Sequence, residues 1–218
     1  MRVGAQVISW VFVPLLMPLY ALLVAMYIPS VEVSFFQENT LYWMNPTYKV
    51  LILSMFLIFS FLAPGISLVM LKKSKAISSL EVDDQSERRM PIIISALYCL
   101  LLAILLWVKT PEQLLPASIY ALPWGGFIGI TLAGIINRFE KISLHALGAG
   151  MLLGYFVPYY YYQAEFYFEI LIVSVLICGL IMSARLYLGK HSLKQIIMGF
   201  GTGFVSVFLC VILFYRFC

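Results

Sequence analysis

The sequence predicts an all-α fold: a polytopic integral membrane helical bundle of about seven transmembrane helices, forming a single domain over residues 1–218. The first observation is composition. Hydrophobic residues make up 63% of the chain and charged residues 11%, with a mean hydropathy of +0.99. A water-soluble domain carries roughly 25% charged residues, so this chain lacks the polar groups to cover its surface in water, and bilayer is the solvent it implies. The second observation is seven apolar runs, each near the about 20 residues that one crossing needs. The third is a lopsided distribution of cations among the loops between them.

The first run, at about 4–29, follows a single arginine and is interrupted by Pro14 and Pro18. It is too long for a signal-peptide core and reads as a first membrane helix. The second, at about 48–71, contains Pro64-Gly65, which predicts a kink. The longest polar segment follows, "KKSKAISSLEVDDQSERRMP" at 72–91, expected to hold a short surface helix ending at Pro91, which opens the third run at about 91–108. The fourth and fifth, at about 116–136 and 142–160, are divided only by "NRFEK". "PYYYYQAEFYF", 158–168, reads as an aromatic belt at the membrane surface before the sixth run at about 166–184. The seventh lies at about 195–215. Gly125/Gly129, Gly150/Gly154 and Gly199/Gly203 are pairs four apart in runs four, five and seven, and predict close backbone packing among those helices. Cys99, Cys178 and Cys210 sit in apolar runs and Cys218 is the last residue, which gives neither a disulfide framework nor metal-site spacing.

Seven crossings put the N-terminus and loops 2–3, 4–5 and 6–7 on one side. That side holds Arg2, Lys72, Lys73, Lys75, Arg88, Arg89, Arg138, Lys141, Arg185, Lys190 and Lys194; the other holds only Lys49, Lys109 and Arg216. The positive-inside rule accounts for the bulk asymmetry and points these loops to the cytoplasm. It does not account for both histidines, His145 and His191, falling on the same side, each beside a helix start. Cations in short clusters rather than a continuous basic face argue against a nucleic-acid partner.

Three short segments on that side carry groups suited to phosphate: "SERRMP" with Arg88 and Arg89, "KISLH" with Lys141, Ser143 and His145, and "ARLYLGKHSLKQ" with Arg185, His191 and Gln195. Arginine pairs bidentately with phosphate oxygens and lysine adds a point charge. One histidine can attack phosphorus while another protonates the leaving oxygen, and surrounding cations stabilise the charge that develops. No carboxylate cluster suggests bound Mg²⁺, since Asp83 and Asp84 read as solvated residues of the polar segment, and no cofactor is expected.

In these segments the chain resembles the type 2 phosphatidic acid phosphatase (PAP2) superfamily of membrane lipid phosphatases. Its signatures are lysine, six residues and Arg-Pro; Pro-Ser-Gly-His; and Ser-Arg, five residues, His, three residues, Asp. Arg185 and His191 keep the spacing of the third, Ser143 and His145 match the second, and "RRMP" is similar to the first. The resemblance covers about 85–205 and implies a six-helix core, a metal-independent phosphoric ester hydrolase and a lipid-phosphate substrate. It also implies a nucleophilic His191, an acid in His145, phosphate held by Arg185 with Arg88 or Arg89, and a hydrogen bond from Ser143. Lys141 would stand in for the missing lysine of the first signature. The family works on the extracytoplasmic face, opposite to the side that the charge rule gives. The expected location is a bacterial inner (plasma) membrane, with membrane lipids as partners and the oligomeric state open.

The departures are equally specific. Ile142 and Leu144 stand where the second signature has Pro and Gly, and Gln195 stands where the third has Asp. An Asp fixes the histidine tautomer and stabilises charge on the ring. Gln195 offers a carbonyl but no charge, and "SLKQ" also fits a capping box in which Gln195 reaches back to Ser192. A slowed phosphatase is therefore one expectation and a non-catalytic lipid-phosphate binder the other. A transporter is disfavoured, because no acidic residue lies well inside a run.

Overall fold

The computed structural model describes residues 2–32, 40–110 and 115–217. Its helices are α1 (Arg2–Val11), α2 (Met17–Tyr27), α3 (Pro46–Phe56), α4 (Ala63–Lys73), α5 (Arg89–Lys109), α6 (Ala117–Ile136), α7 (Leu144–Tyr162), α8 (Phe168–Tyr187) and α9 (Leu193–Phe217). Six helical stretches are long and apolar enough to cross a membrane: Arg2–Tyr27, Pro46–Lys73, Ser86–Lys109, Ala117–Ile136, Phe168–Tyr187 and Leu193–Phe217. The remaining expected span is α7. Its glycines and tyrosines dilute its hydropathy, and it runs through the middle of the bundle, walled by α2, α6, α8 and α9. The outer helices expose large apolar side chains, such as Val175, Leu176 and Leu180 on α8.

Two of the expected spans are not single α-helices. Val13 is extended, as the residue before a proline prefers, and Pro14–Leu16 form a 3₁₀ turn, so α1 and α2 are separate. Between α3 and α4 the chain widens into a π-helix, Leu57–Leu62. Pro64 lacks the N–H for a regular turn and its ring would crowd the preceding one; the wider turn takes up the mismatch. The segment before α5 is turns and bends ending in a 3₁₀ turn, Ser86–Arg88, rather than the expected surface α-helix.

The tyrosine-rich stretch also departs from expectation. Tyr155 and Tyr159 are fully buried and stacked, and Tyr159 Oη lies 3.2 Å from Ser30 Oγ. Tyr161, Tyr167 and Phe168 have the exposure of a surface belt. Next to them Val31–Glu32 pairs with Gln163–Glu165, a two-stranded ribbon in an otherwise helical fold.

Long-range contacts fix the helix directions. Pro14 and Met17 approach Gly148, while the Ala25 carbonyl accepts from Tyr159 Oη, so α2 and α7 run the same way. α7 and α9 are parallel as well, joined through backbone. A Cβ on Gly203 would lie 2.0 Å from the Leu147 carbonyl oxygen, one on Gly150 2.1 Å from that of Phe200, and one on Gly199 2.4 Å from that of Ser143. On α6, Gly125 closes on the Val207 backbone of α9, while Gly129 meets the Ser206 and Met151 side chains. The predicted packing of the glycine pairs is thus the central seam of the molecule. Cys99, Cys178 and Cys210 are buried free thiols, and Cys218 lies outside the described residues.

Gly203→Ala is expected to lower the thermal unfolding midpoint in detergent micelles by roughly 3–10 °C, because overpacking against backbone has no side chain to yield. Gly201→Ala, which meets nothing within 4 Å, should leave the midpoint unchanged or slightly raised. Equal midpoints would show that the seam is not close-packed.

Candidate functional site

The start of α7, the start of α9 and the end of α8 lie at one end of the bundle, and the polar segment before α5 folds over them. Each segment is placed by a recognisable local device. Ser143 is the N-cap of α7: its hydroxyl accepts from the Ala146 N–H at 3.3 Å. Its own N–H donates to the Gln195 backbone carbonyl at 3.3 Å, tying α7 to the first turn of α9. α8 closes with Gly189 at φ +66°, where the Gly189 N–H reaches the Leu186 carbonyl and the Lys190 N–H that of Arg185. This is a Schellman turn, and it needs a residue at ease in the left-handed region. The six-residue step from Arg185 to His191 is thus one helix ending and a sharp reversal, with the next helix starting at once.

Gln195 carries both roles that the sequence left in competition. Its Oε1 accepts from the Ser192 N–H at 3.3 Å while its own N–H reaches Ser192 Oγ at 3.4 Å, a complete capping box. The same Oε1 lies 3.1 Å from His191 Nδ1. A carbonyl oxygen only accepts, so Nδ1 carries the proton and Nε2 keeps a lone pair. His191 itself is 8% exposed.

Arg88 is 2% exposed, and it donates from Nε to the Val82 carbonyl at 2.8 Å and from Nη1 to the Ile142 carbonyl at 2.5 Å. Val82, a β-branched residue, is held at φ +47° to present that carbonyl, a conformation that costs of order 1–3 kcal/mol. Arg89, one residue on, is exposed on the first turn of α5, outside the cluster. Arg185 is 2% exposed; its Nη1 donates to Ser9 Oγ at 3.4 Å, and its buried Nε finds no acceptor among the described residues. Lys141 Nζ donates to the Lys190 carbonyl at 3.3 Å. His145 Nε2 lies 3.1 Å from the Ser9 carbonyl.

Asp83 is where the structure corrects the sequence reading. Besides keeping part of its exposure to solvent, it pairs with Lys190 at 2.5 Å, and Glu81 pairs with the same ammonium at 3.1 Å. Burial works to raise the Asp83 pKa, but the Lys190 bond and the charges of Lys190, Arg185 and Lys141 prevail and hold its carboxyl below the usual range. Gln85 and Asn137 exchange side chain-to-backbone bonds that pin this acidic segment to the end of α6. Neither Asp83 nor Ser9 was singled out from the sequence. Asp83 carries only the weak signal of two adjacent acids facing a basic loop, and Ser9 carries none.

The electrostatics keep His191 neutral. Burial pushes its pKa down from 6.5, the Gln195 bond pulls it up, and Arg88, Arg185 and Lys141 push it down again, to about 4. The arrangement therefore offers an uncharged imidazole with a free Nε2 beside three cations, one of them with an unpartnered N–H. Comparison with family models, with curated proteins and with solved structures finds no match.

Two outcomes are expected. Arg88→Ala strands two buried carbonyls and should destabilise the protein by about 2–4 kcal/mol in denaturant unfolding, whereas Arg89→Ala should stay within about 0.5 kcal/mol. His191 titrates lower when folded than when unfolded, so the unfolded chain binds more protons between pH 6.5 and about 4. Stability should fall as pH drops through that window, and His191→Gln should flatten the fall in thermal unfolding scans.

Proposed function

We propose that this chain is an integral multi-pass membrane protein that hydrolyses a phosphomonoester or pyrophosphate carried on a lipid, through a phosphohistidine at His191. The observation that carries the reading is the His191 ring: Nδ1 is held by Gln195 Oε1 and Nε2 is left unprotonated, among the charges of Arg88, Arg185 and Lys141. The unpartnered Nε of Arg185 supports it, since a buried guanidinium N–H without an acceptor is costly and a phosphate oxygen would satisfy it. The resemblance to the PAP2 superfamily, in the same residues, supports it independently of the fold.

In this reading the lipid tail lies among the exposed apolar helices with its phosphate at the bundle end, as a monoanion ROPO₃H⁻. The Nε2 lone pair forms the N–P bond as the P–O bond to the lipid breaks. The proton of the phosphate passes through His145 to the leaving oxygen, giving ROH. Water then attacks phosphorus, and its proton passes through His145 to a phosphate oxygen, which returns His145 to the neutral form. The N–P electron pair returns to Nε2, and inorganic phosphate leaves. Arg185, Arg88 and Lys141 offset the charge on the equatorial oxygens. The Ser143 hydroxyl, having accepted from Ala146, keeps its proton for a phosphate oxygen. While phosphorylated the His191 ring is cationic, and Gln195 supports it with a dipole instead of a charge, so slow turnover is expected.

A second reading has its own observation. The Gln195 carbonyl that holds His191 brings no negative charge to stabilise a phosphorylated ring, while Arg88, Arg185 and Lys141 still surround it with positive charge. That favours a lipid-phosphate binder with little turnover.

Phosphate release from phosphatidic acid, phosphatidylglycerol phosphate, polyprenyl pyrophosphate and lipid A phosphate decides between them. Release should vanish in His191→Ala. It should rise about ten-fold in Gln195→Glu, which keeps the reach of the side chain and adds the missing charge. Wild-type release equal to that of His191→Ala on every substrate would sink the hydrolase reading; retention of phosphatidic acid vesicles by that inactive protein would establish the binder.

A further inference from the structure

We propose that Ser9, on the N-terminal helix, is a positioning residue of this site, with its carbonyl orienting His145 and its hydroxyl orienting Arg185. The inference rests on the phosphatase reading for its kinetic consequence, though not for its structural one. The His145 Nε2–Ser9 carbonyl distance is 3.1 Å. A carbonyl cannot donate, so Nε2 carries the hydrogen and Nδ1 is the nitrogen through which His145 exchanges a proton with substrate. When Nδ1 is protonated, the carbonyl dipole supports the resulting imidazolium.

The Ser9 carbonyl is free for this because of the break in the chain. The last carbonyls of a helix have no partner within it. The Phe12 N–H closes the final bond, onto Ile8. Next in line to reach Ser9 would be the Val13 N–H, but α1 ends at Val11 and that bond does not form before the chain turns extended at Val13, ahead of Pro14. Pro14 therefore ends α1 at the point that presents the Ser9 carbonyl to α7. The side chain points the same way: Ala5 and Ser9 are the buried residues of α1, whereas Val3, Val7 and Trp10 are exposed. Ser9 Oγ accepts from Arg185 Nη1 at 3.4 Å, which leaves Arg185 Nε a buried donor without a partner among the described residues. Each histidine is thus held at one nitrogen by an amide carbonyl, Gln195 Oε1 for His191 and Ser9 O for His145, which fixes the other nitrogen for chemistry.

The test replaces Trp10 by its α-hydroxy analogue in the full chain, which turns the Ser9 carbonyl into a weaker ester acceptor. The same replacement at Val11 serves as control for weakening of α1. In ¹⁵N-histidine spectra, with His145 assigned by its loss in His145→Gln, the ring should be the Nε2–H tautomer and should respond to the ester at 10 but not at 11. On a lipid phosphate the ester at 10 should lower kcat roughly ten-fold with KM within about two-fold. Ser9→Ala should instead raise KM several-fold, and Ser9→Thr should restore it. An Nδ1–H tautomer, or a ring indifferent to the ester at 10, overturns the proposal whatever the turnover. Turnover equal to that of His191→Ala in the wild type would overturn the phosphatase reading alone, with the spectra still judging Ser9.

Discussion

The close approach of α7 and α9 is the constraint on which the site depends. Where Gly203 meets the Leu147 carbonyl and Gly199 that of Ser143, no side chain separates the two backbones. Packing this close gains dispersion contacts along the whole seam and fixes the register of one helix on the other. That register sets the level at which the two helices begin. His145 lies in the first turn of α7 and His191 just ahead of α9, so the seam brings two residues 46 positions apart to one end of the bundle. The Ser143 N–H on the Gln195 carbonyl is the last rung of the same ladder.

Gathering cations at that end carries a cost. Arg88 and Arg185 are almost wholly removed from solvent, and a buried charge without partners is unfavourable by several kcal/mol. The fold offsets this in two ways. Backbone carbonyls of Val82, Ile142 and Lys190 face Arg88 and Lys141, and the carboxylates of Glu81 and Asp83 add negative charge from the polar segment. An incoming phosphate would then exchange one set of anionic oxygens for another. That exchange costs far less than assembling bare cations around the substrate.

What the sequence made legible follows from where each signal lies. Apolar length placed seven runs, and six of them are helical stretches long and apolar enough to cross a membrane, since a helix that faces lipid must be apolar along its whole length. The run expected at about 142–160 is α7, Leu144–Tyr162; it falls short of the others in hydropathy because it is walled by α2, α6, α8 and α9 and tolerates glycines at the seam and tyrosines at its far end. The sequence offered Arg88 and Arg89 equally, because one residue on a turning backbone decides which points inward. Asp83 was misjudged because an acid in a charged segment ordinarily faces water. Ser9 was invisible for a deeper reason: it reaches His145 through a main-chain carbonyl, which every residue has. Only Pro14, which interrupts α1, hints that a carbonyl there is free.

Gln195 is the point at which fold and chemistry meet. A side chain at this position has to cap α9 and hold His191, and the Gln195 carbonyl oxygen does both at once. Neither task requires charge. The negative charge that the resemblance would place at 195 stands in this chain at Asp83, which meets Lys190, Arg185 and Lys141 and does not bond the histidine. Without a carboxylate on its ring, His191 has its pKa held down to about 4 by burial and by the charges of Arg88, Arg185 and Lys141, against the pull of the Gln195 bond. In the proposed hydrolase, a His191 kept neutral in this way would always be in the right protonation state to attack near neutral pH, but would gain little help while it carried phosphorus. On that reading the attack would be favoured over the life of the intermediate, and the rate of the cycle would be governed by how well a single amide dipole supports the phosphorylated ring.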